Sequence, residues 1–374
     1  MRLDVKTIGS NGSTELYVSA TPERGDAAEP RRMFRAVADA LESHGARACR
    51  ERVFVPDGQL EEYQAARRDA YPSDTPPASD WLLAGGHGAV GGVQVHAVRG
   101  PLDWQPLYDR SHVQAGWTFA SKGRRWAVTS GLLAPTVDDA PGQARAAFEA
   151  GEAILRQVGM DLSCVARTWL FMDHILGWYA GFNRVRNDLF IQRGLLQRGG
   201  GGPDGDASRV PASTGIGVTP ARPGRVSLEM FAVSGSAGGC VTRHSAAGKQ
   251  RSAYEYGSAF ARSSEAPTPA GRTVFVSGTA AIDEAGATCF VGDAKGQMRM
   301  TMECVLAVLR SARCAPADVV QAIAYCKTPE VARAFRGTWQ NEIQWPWLVV
   351  IGDVCRDDLL FEVEVTACAR TDIN

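Results

Sequence analysis

The chain has 374 residues, a formal net charge of -1 and 45% hydrophobic residues. That length allows two or three domains with cores of their own. The near-neutral balance, with no long basic run, excludes an electrostatic footprint for nucleic acid.

The opening residues Met1-Arg2-Leu3-Asp4-Val5 lack the apolar core of a signal peptide, and no apolar run is long enough to cross a membrane. The nine cysteines form no Cys-x-x-Cys pair and the six histidines show no metal-ligand spacing. The expectation is a cytoplasmic protein with free thiols and no metal.

Residues 30 to 100 show a simple order of elements. A helical pattern places Phe34, Val37 and Leu41 on one face and stops at Gly45. A strand follows at Val53-Phe54-Val55, then a helix from about Gln59 to Tyr71 and a turn at Pro76-Pro77. The alternating strand Val93-Gln94-Val95-His96-Ala97 closes the unit.

The same order returns after residue 115, now led by a hairpin. Its arms are Trp117-Thr118-Phe119 and Trp126 to Gly131, joined at Lys122-Gly123. A helix with Phe148, Leu155 and Val158 inward stops at Gly159. The strand Thr168 to Met172, a helix from Trp178 to Phe190 and the strand Val226 to Phe231 complete the copy. Four consecutive glycines within Gly199 to Asp206 cannot pack a core, so 199–206 reads as a mobile surface insertion.

In the third pass a hairpin is expected from Tyr254–Arg262 and Val274–Gly278. The helix carries Met298, Met302, Val305, Leu306 and Leu309 at core spacing. Next come the strand Ala322 to Cys326, a helix from Pro329 to Trp339 and the strand Leu348-Val349-Val350-Ile351. The last strand opens at Cys355 and alternates from Leu360 on: Phe361, Val363 and Val365 point one way, Glu362 and Glu364 the other. A solvated face with two harmless acids is the simpler reading of that pair. A face turned into a cleft would instead raise a carboxyl pKa and make it a proton donor.

Three copies of one sheet-and-helix unit imply an α+β protein: a closed ring of three sheets in one chain, expected at 1–113, 114–246 and 247–374. In the first copy the hairpin is hard to find. The Ser130-Gly131 and Ser277-Gly278 pairs, each followed by a helix and a terminal strand with Glu229 or Glu362, resemble the Rid (YjgF-like) superfamily. Its members are usually homotrimers with ligand clefts between subunits. The chain therefore looks like a fused pseudo-trimer with a degenerate first unit, expected to be a monomer.

A narrower resemblance, to the chorismatase family, runs from about Trp117 onward. It is carried by Phe182-Asn183-Arg184-Val185-Arg186-Asn187, Pro211 to Gly217, Tyr254 to Phe260, Ser277-Gly278-Thr279-Ala280 and Asp353 to Leu360. The resemblance implies removal of pyruvate from chorismate, with no cofactor and no metal, to supply ring acids that often start natural-product synthesis. Chorismate carries two carboxylates, so guanidinium groups are required. Arg186 and Arg336, on comparable helices, are the candidates, against the commoner fate of surface ion pairs. Tyr179 lies on nearly the same helix face as Arg186. Thr214 and Gly215 offer a hydroxyl and a tight backbone.

By the resemblance Glu362 is the acid that protonates the enolpyruvyl methylene, with Glu364 the rival and Glu229 structural or a remnant of a second cleft. Cys355 reads alone as a small buried hydrophobe. Chorismatases that yield 3-hydroxybenzoate look to carry a cysteine at this place, so 3-hydroxybenzoate is the expected product. The hydrolytic chorismatase giving a dihydroxycyclohexadiene acid, a Rid-type imine deaminase and a non-catalytic binder are the alternatives. The deaminase reading is weakened because Leu348 and Ser213 stand where its substrate-binding arginine is expected.

Overall fold

The computed structural model describes residues 1–10, 12–22, 29–71, 77–85, 91–197, 209–235, 240–247 and 250–369. The glycine-rich segment 199–206 and Pro76 lie outside these residues.

The first unit runs β1 (Arg2–Ser10), β2 (Ser13–Thr21), α1 (Glu29–Ser43), β3 (Arg47–Pro56), α2 (Leu60–Ala70), β4 (Ser79–Ala84) and β5 (Gly92–Arg99). Next come β6 (Asp103–Tyr108), β7 (Gln114–Ser121), β8 (Arg124–Leu132), α3 (Ala140–Arg156), β9 (Val165–Met172), α4 (Tyr179–Gln192), β10 (Ala212–Ile216), β11 (Thr219–Pro220) and β12 (Val226–Gly235). The third unit runs β13 (Thr242–His244), β14 (Ser263–Thr268), β15 (Gly271–Ala280), α5 (Ala294–Ser311), β16 (Val319–Cys326), α6 (Pro329–Gly337), α7 (Trp339–Glu342), β17 (Trp347–Ile351) and β18 (Phe361–Ala369).

Three six-stranded mixed sheets result, in the orders β1-β2-β5-β3-β4-β11, β10-β9-β12-β8-β7-β6 and β13-β14-β15-β18-β16-β17. Each sheet buries one face under its own helices: Phe34 and Val37 of α1, Phe148 and Leu155 of α3, Met302 and Val305 of α5. The opposite faces meet at the centre in a shared core that takes Phe54, Trp169, Phe171, Phe231, Phe275, Ile323 and Tyr325 from all three sheets. Period-two alternation explains the division, since neighbouring residues on a strand face opposite ways.

The structure corrects three local readings and bears on a fourth, the placing of the first boundary. The missing first hairpin is β1–β2, paired from Arg2–Thr21 to Ser10–Ser13. Its signal was the Asn11-Gly12 dipeptide. Residues Tyr254 to Arg262 are not a hairpin arm: Ala253–Tyr256 is a short 3-10 turn and the strand begins at Ser263. The closing strand begins at Phe361, and Cys355 precedes it in a loop. Division at 113/114 would separate the paired strands β6 and β7. We propose instead a division near Gly100, which keeps that hairpin in one unit.

Two irregularities align the units. Each central strand slips past one residue, at Cys49, Ala166 or Val320, between Ala48/Arg50, Val165/Arg167 and Val319/Gln321. Counting from that shared bulge, the pairs Arg52–Gln94, Trp169–Glu229 and Ile323–Glu364 are equivalent. The next inward pairs are Phe54–Gly92, Phe171–Ser227 and Tyr325–Glu362. A second bulge places Ser130-Gly131 opposite Glu229 and Ser277-Gly278 opposite Glu364, and the first unit, with Gln94, has none. Glu229 is therefore the counterpart of Glu364 and not of Glu362, whose place in the second unit is held by Ser227. The same register sets Leu348 level with Thr214, one residue from the expected Ser213.

Candidate active site

The centre of the molecule is charged. Arg52 of the first unit holds Glu229 of the second through Nε and Nη2, at 3.1 and 2.5 Å. Its Nη1 reaches Glu364 of the third unit at 3.2 Å, and Arg167 Nη2 donates to the other Glu364 oxygen at 2.9 Å. Arg50, Arg52 and Arg167 also lie over the Trp169 ring at 4.2, 4.9 and 4.9 Å. These groups are buried, so each charge depends on its partners for the polar contacts that water would otherwise supply. Glu364 is the acceptor in two ion pairs, one with an arginine from each of two units.

Glu362, two residues earlier on the same face, is different. It is 5% exposed, and no described residue donates a hydrogen bond to its carboxyl. Burial raises its pKa to about 8, with the charge on Glu364 adding and Arg167 and Arg262 opposing. Gly278 gives the side chain its room: a Cβ there would lie 2.0 Å from Glu362 Oε1. The bulge and its glycine thus shape the seat of the carboxyl.

Glu362 faces a cleft of about 570 Å³ between the second and third units, within the range of small-molecule sites. One wall is α4, whose Tyr179, Asn183 and Arg186 line the cleft one turn apart while Phe182 packs beneath. Arg186 is 2% exposed; its Nη2 donates to Asn183 Oδ1 at 2.7 Å, and its Nε has no hydrogen-bond partner among the described residues. Gly215 of β10 forms the floor. Thr214 stands behind it, its oxygen accepting from Arg167 and from the Gly278 amide.

The opposite wall is the segment before β14. Asn187 clamps it to α4, donating to Gly257 O at 3.0 Å and accepting from Ala259 N at 3.2 Å. That places Tyr256, Phe260 and Arg262 in the cleft, with Arg262 3% exposed and its Nη2 donating to Tyr256 Oη at 2.6 Å. Arg356 closes the mouth, anchored to Gly286 O at 2.8 Å. Cys355 lies beside Glu362 and Tyr179. Burial, followed by the Glu362 charge, pushes its thiol up to about 12, so it is a neutral S–H near pH 7.

The two counterpart clefts are filled. Between the first and second units, Ser227 Oγ donates to the buried Asp80 at 2.7 Å, and Arg222 donates to Gly131 O. Between the third and first, Leu348 Cδ2 lies 2.9 Å from where a Cβ on Gly92 would sit. Arg336, on the counterpart of α4, is therefore not a cleft residue. It lies by Cys326 on the helix layer that covers the third sheet, with Val331 and Phe335 of its helix buried there.

A family model described as Endoribonuclease L-PSP matches residues 257–369. No curated protein matches the chain in sequence. Among solved structures, a chorismatase determined at 1.08 Å shares 17% identity, covers 98% of this chain and 100% of its own, and superposes with a TM-score of 0.63. The chain has the chorismatase fold. A putative endoribonuclease from Thermotoga maritima and the yjgF gene product of E. coli each cover 30% of the chain, and 87% and 88% of their own. Their identities are 18% and 19%, with TM-scores of 0.26 and 0.24.

Within this chorismatase fold, the structure brings together Glu362, Cys355, Arg186, Tyr179 and Gly215, sets Thr214 in support and leaves Arg336 outside. Sequence reasoning missed Arg262 and Arg356. Both lie in or beside motifs that carry the resemblance, but neither sits on a regular element whose periodicity would announce an inward face.

Proposed function

We propose that the protein is a chorismatase that converts chorismate to 3-hydroxybenzoate and pyruvate, supplying a starter acid for secondary metabolism. The observation that carries this reading is Glu362: a buried carboxyl of raised pKa, free of protein donors among the described residues, in a cleft lined by Arg186, Arg262 and Arg356. A carboxylic acid near pKa 8 keeps its proton at neutral pH and can give it up. The guanidiniums suit the two substrate carboxylates, with Arg186 and Arg262 rigid through burial and Arg356 at the rim.

The chemistry balances without water. Glu362 gives its proton to the enolpyruvyl methylene carbon. The ether bond from the ring to the enolpyruvyl oxygen breaks, and pyruvate leaves with that oxygen as its ketone. The neighbouring ring hydroxyl closes on the vacated carbon, losing its proton, to give an arene-oxide-like species. Opening of that ring and loss of a ring hydrogen yield the phenol. Cys355, a neutral thiol beside the ring, relays a proton in the aromatisation, and Tyr179 holds it in place. The hydrolytic alternative consumes one water and returns a diene acid.

Incubating the protein with chorismate and separating the products tests the reading. Equimolar pyruvate and 3-hydroxybenzoate are expected, with no oxygen from labelled water in the aromatic acid. Release of the diene acid alone would assign the hydrolytic reaction, and absence of pyruvate would remove the enzyme assignment.

A further inference from the structure

The first unit has no open cleft, yet it reaches the site. Its Arg52 is 1% exposed and bridges Glu229 of the second unit to Glu364 of the third. Arg167 of the second unit pins the remaining Glu364 oxygen and braces Thr214, which in turn accepts from the Gly278 amide beside Glu362. One carboxylate is thus fixed by cations from two units. Its neighbour on the same strand face is left without a donor. Side chains two apart on a strand share a face, and like charges so placed do not ionise together easily.

We propose that Glu364 is a positioning residue for the acid: a buried carboxylate, held by Arg52 and Arg167, that keeps the proton on Glu362. Its catalytic meaning rests on the acid role given to Glu362 above. The charged and titratable groups around Glu362 are Glu364 on β18, Arg167 on β9, Tyr325 on β16, Tyr179 and Arg186 on α4, Tyr256 and Arg262 before β14, and Cys355 and Arg356 before β18. The tyrosines and the thiol are held neutral by burial. The arginines oppose proton retention, Arg167 and Arg262 most directly. Glu364 is therefore the one group in this set whose charge favours it. On this account the first unit contributes to the site through Arg52.

The test is the titration of Glu362 in the ligand-free full-length protein, followed by NMR of ¹³C-carboxyl-labelled glutamate and assigned with Glu362→Gln. Glu362 is expected to titrate above neutrality. In Glu364→Gln the Glu362 midpoint falls by at least one pH unit, and the basic limb of pyruvate release moves down equally. At pH 8 activity drops about fivefold for the first pH unit by which the midpoint falls and about tenfold for each further unit, with KM little changed. A midpoint unmoved in Glu364→Gln overturns the inference, as does an ordinary carboxyl midpoint for Glu362 in the wild type, which decides the matter if the variant does not fold. The NMR arm uses no chorismate, so failure of the proposed reaction stays separable from failure of this inference.

Discussion

Glu362 carries opposite demands. In the folded protein its pKa is about 8, above the ordinary carboxyl value, chiefly through burial. The folded state then binds more protons than the unfolded chain between the two values, so stability falls as pH rises through that window. An acid kept ready at the cost of stability marks a functional position. Glu362→Gln removes the charge and keeps the shape. Pyruvate release from chorismate should fall by about 10²–10⁴-fold. Urea unfolding at pH 8.5 should show the variant more stable than wild type by on the order of 1–3 kcal/mol, with little difference at pH 5. Equal stability at both pH values would mean that the carboxyl is not desolvated as described.

At the scale of elements, one cleft of three is open because of what the last strand of each unit carries at one level. Gly92, Ser227 and Glu362 are equivalent, facing Leu348, Asp80 and Thr214 across the three interfaces. Leucine against glycine fills one interface with hydrocarbon, a hydrogen-bonded aspartate fills the second, and threonine turned back to Arg167 leaves the third empty. Leu348→Ala should therefore behave as a core truncation, losing about 2–4 kcal/mol in urea unfolding. Chorismate turnover at the Glu362 cleft should persist. A loss of less than about 1 kcal/mol would show that the interface closes without Leu348.

Much of this was legible in the sequence, and for a reason. Sheet faces and helix stripes follow from local periodicity, so the repeated helices and central strands, and the shared face of Glu362 and Glu364, could be read directly; that this face turns inward could not, because alternation alone does not separate a solvated face from a cleft. The counterpart relations could not. Glu229 is shifted by one strand repeat from the position its motif suggests, because a bulge at Ala166 and another at Ser130-Gly131 reset the register. Arg336 follows the helix pattern of Arg186 faithfully. Its counterpart interface holds Leu348 packed against Gly92, a pairing the helix pattern does not announce. Arg262 and Arg356 sit in irregular segments whose direction is decided by contacts such as Asn187 with Gly257.

At the scale of the whole molecule, each of the three interfaces carries, among the described residues, a buried group whose raised pKa falls within the range of pH at which the folded protein can be studied. Asp80, between the first and second units, is raised to about 7 by burial and then by Glu229. Glu362, between the second and third, is raised to about 8. His96 meets the third and first units through Glu15, which it contacts at 2.8 Å and whose other oxygen accepts from Ala270 N at 3.1 Å. Burial alone would pull this imidazole down, but Cys49 and Glu15 outweigh it and hold it at about 9. All three folded values exceed their unfolded ones, so each site binds extra protons on folding and each contribution has the same sign. The carboxyls lose stability from their ordinary values near 4 up to about 7 and 8. The imidazole keeps its full contribution below 6.5 and loses it as pH rises through about 9. Unfolding free energy in urea should therefore decline continuously from about pH 5.5 to about 9.5, by several kcal/mol in all, with an unchanged dependence on denaturant. Asp80→Asn should remove the part below about pH 7. Glu15→Gln should shrink the part between 6.5 and 9, since Glu15 adds to Cys49 in holding His96 up, and should destabilise the protein most at pH 6, where the wild-type pair contributes fully. A flat or rising profile in the wild type would mean that the three interfaces do not exclude water, and that the fused units are joined more loosely than their sheets suggest.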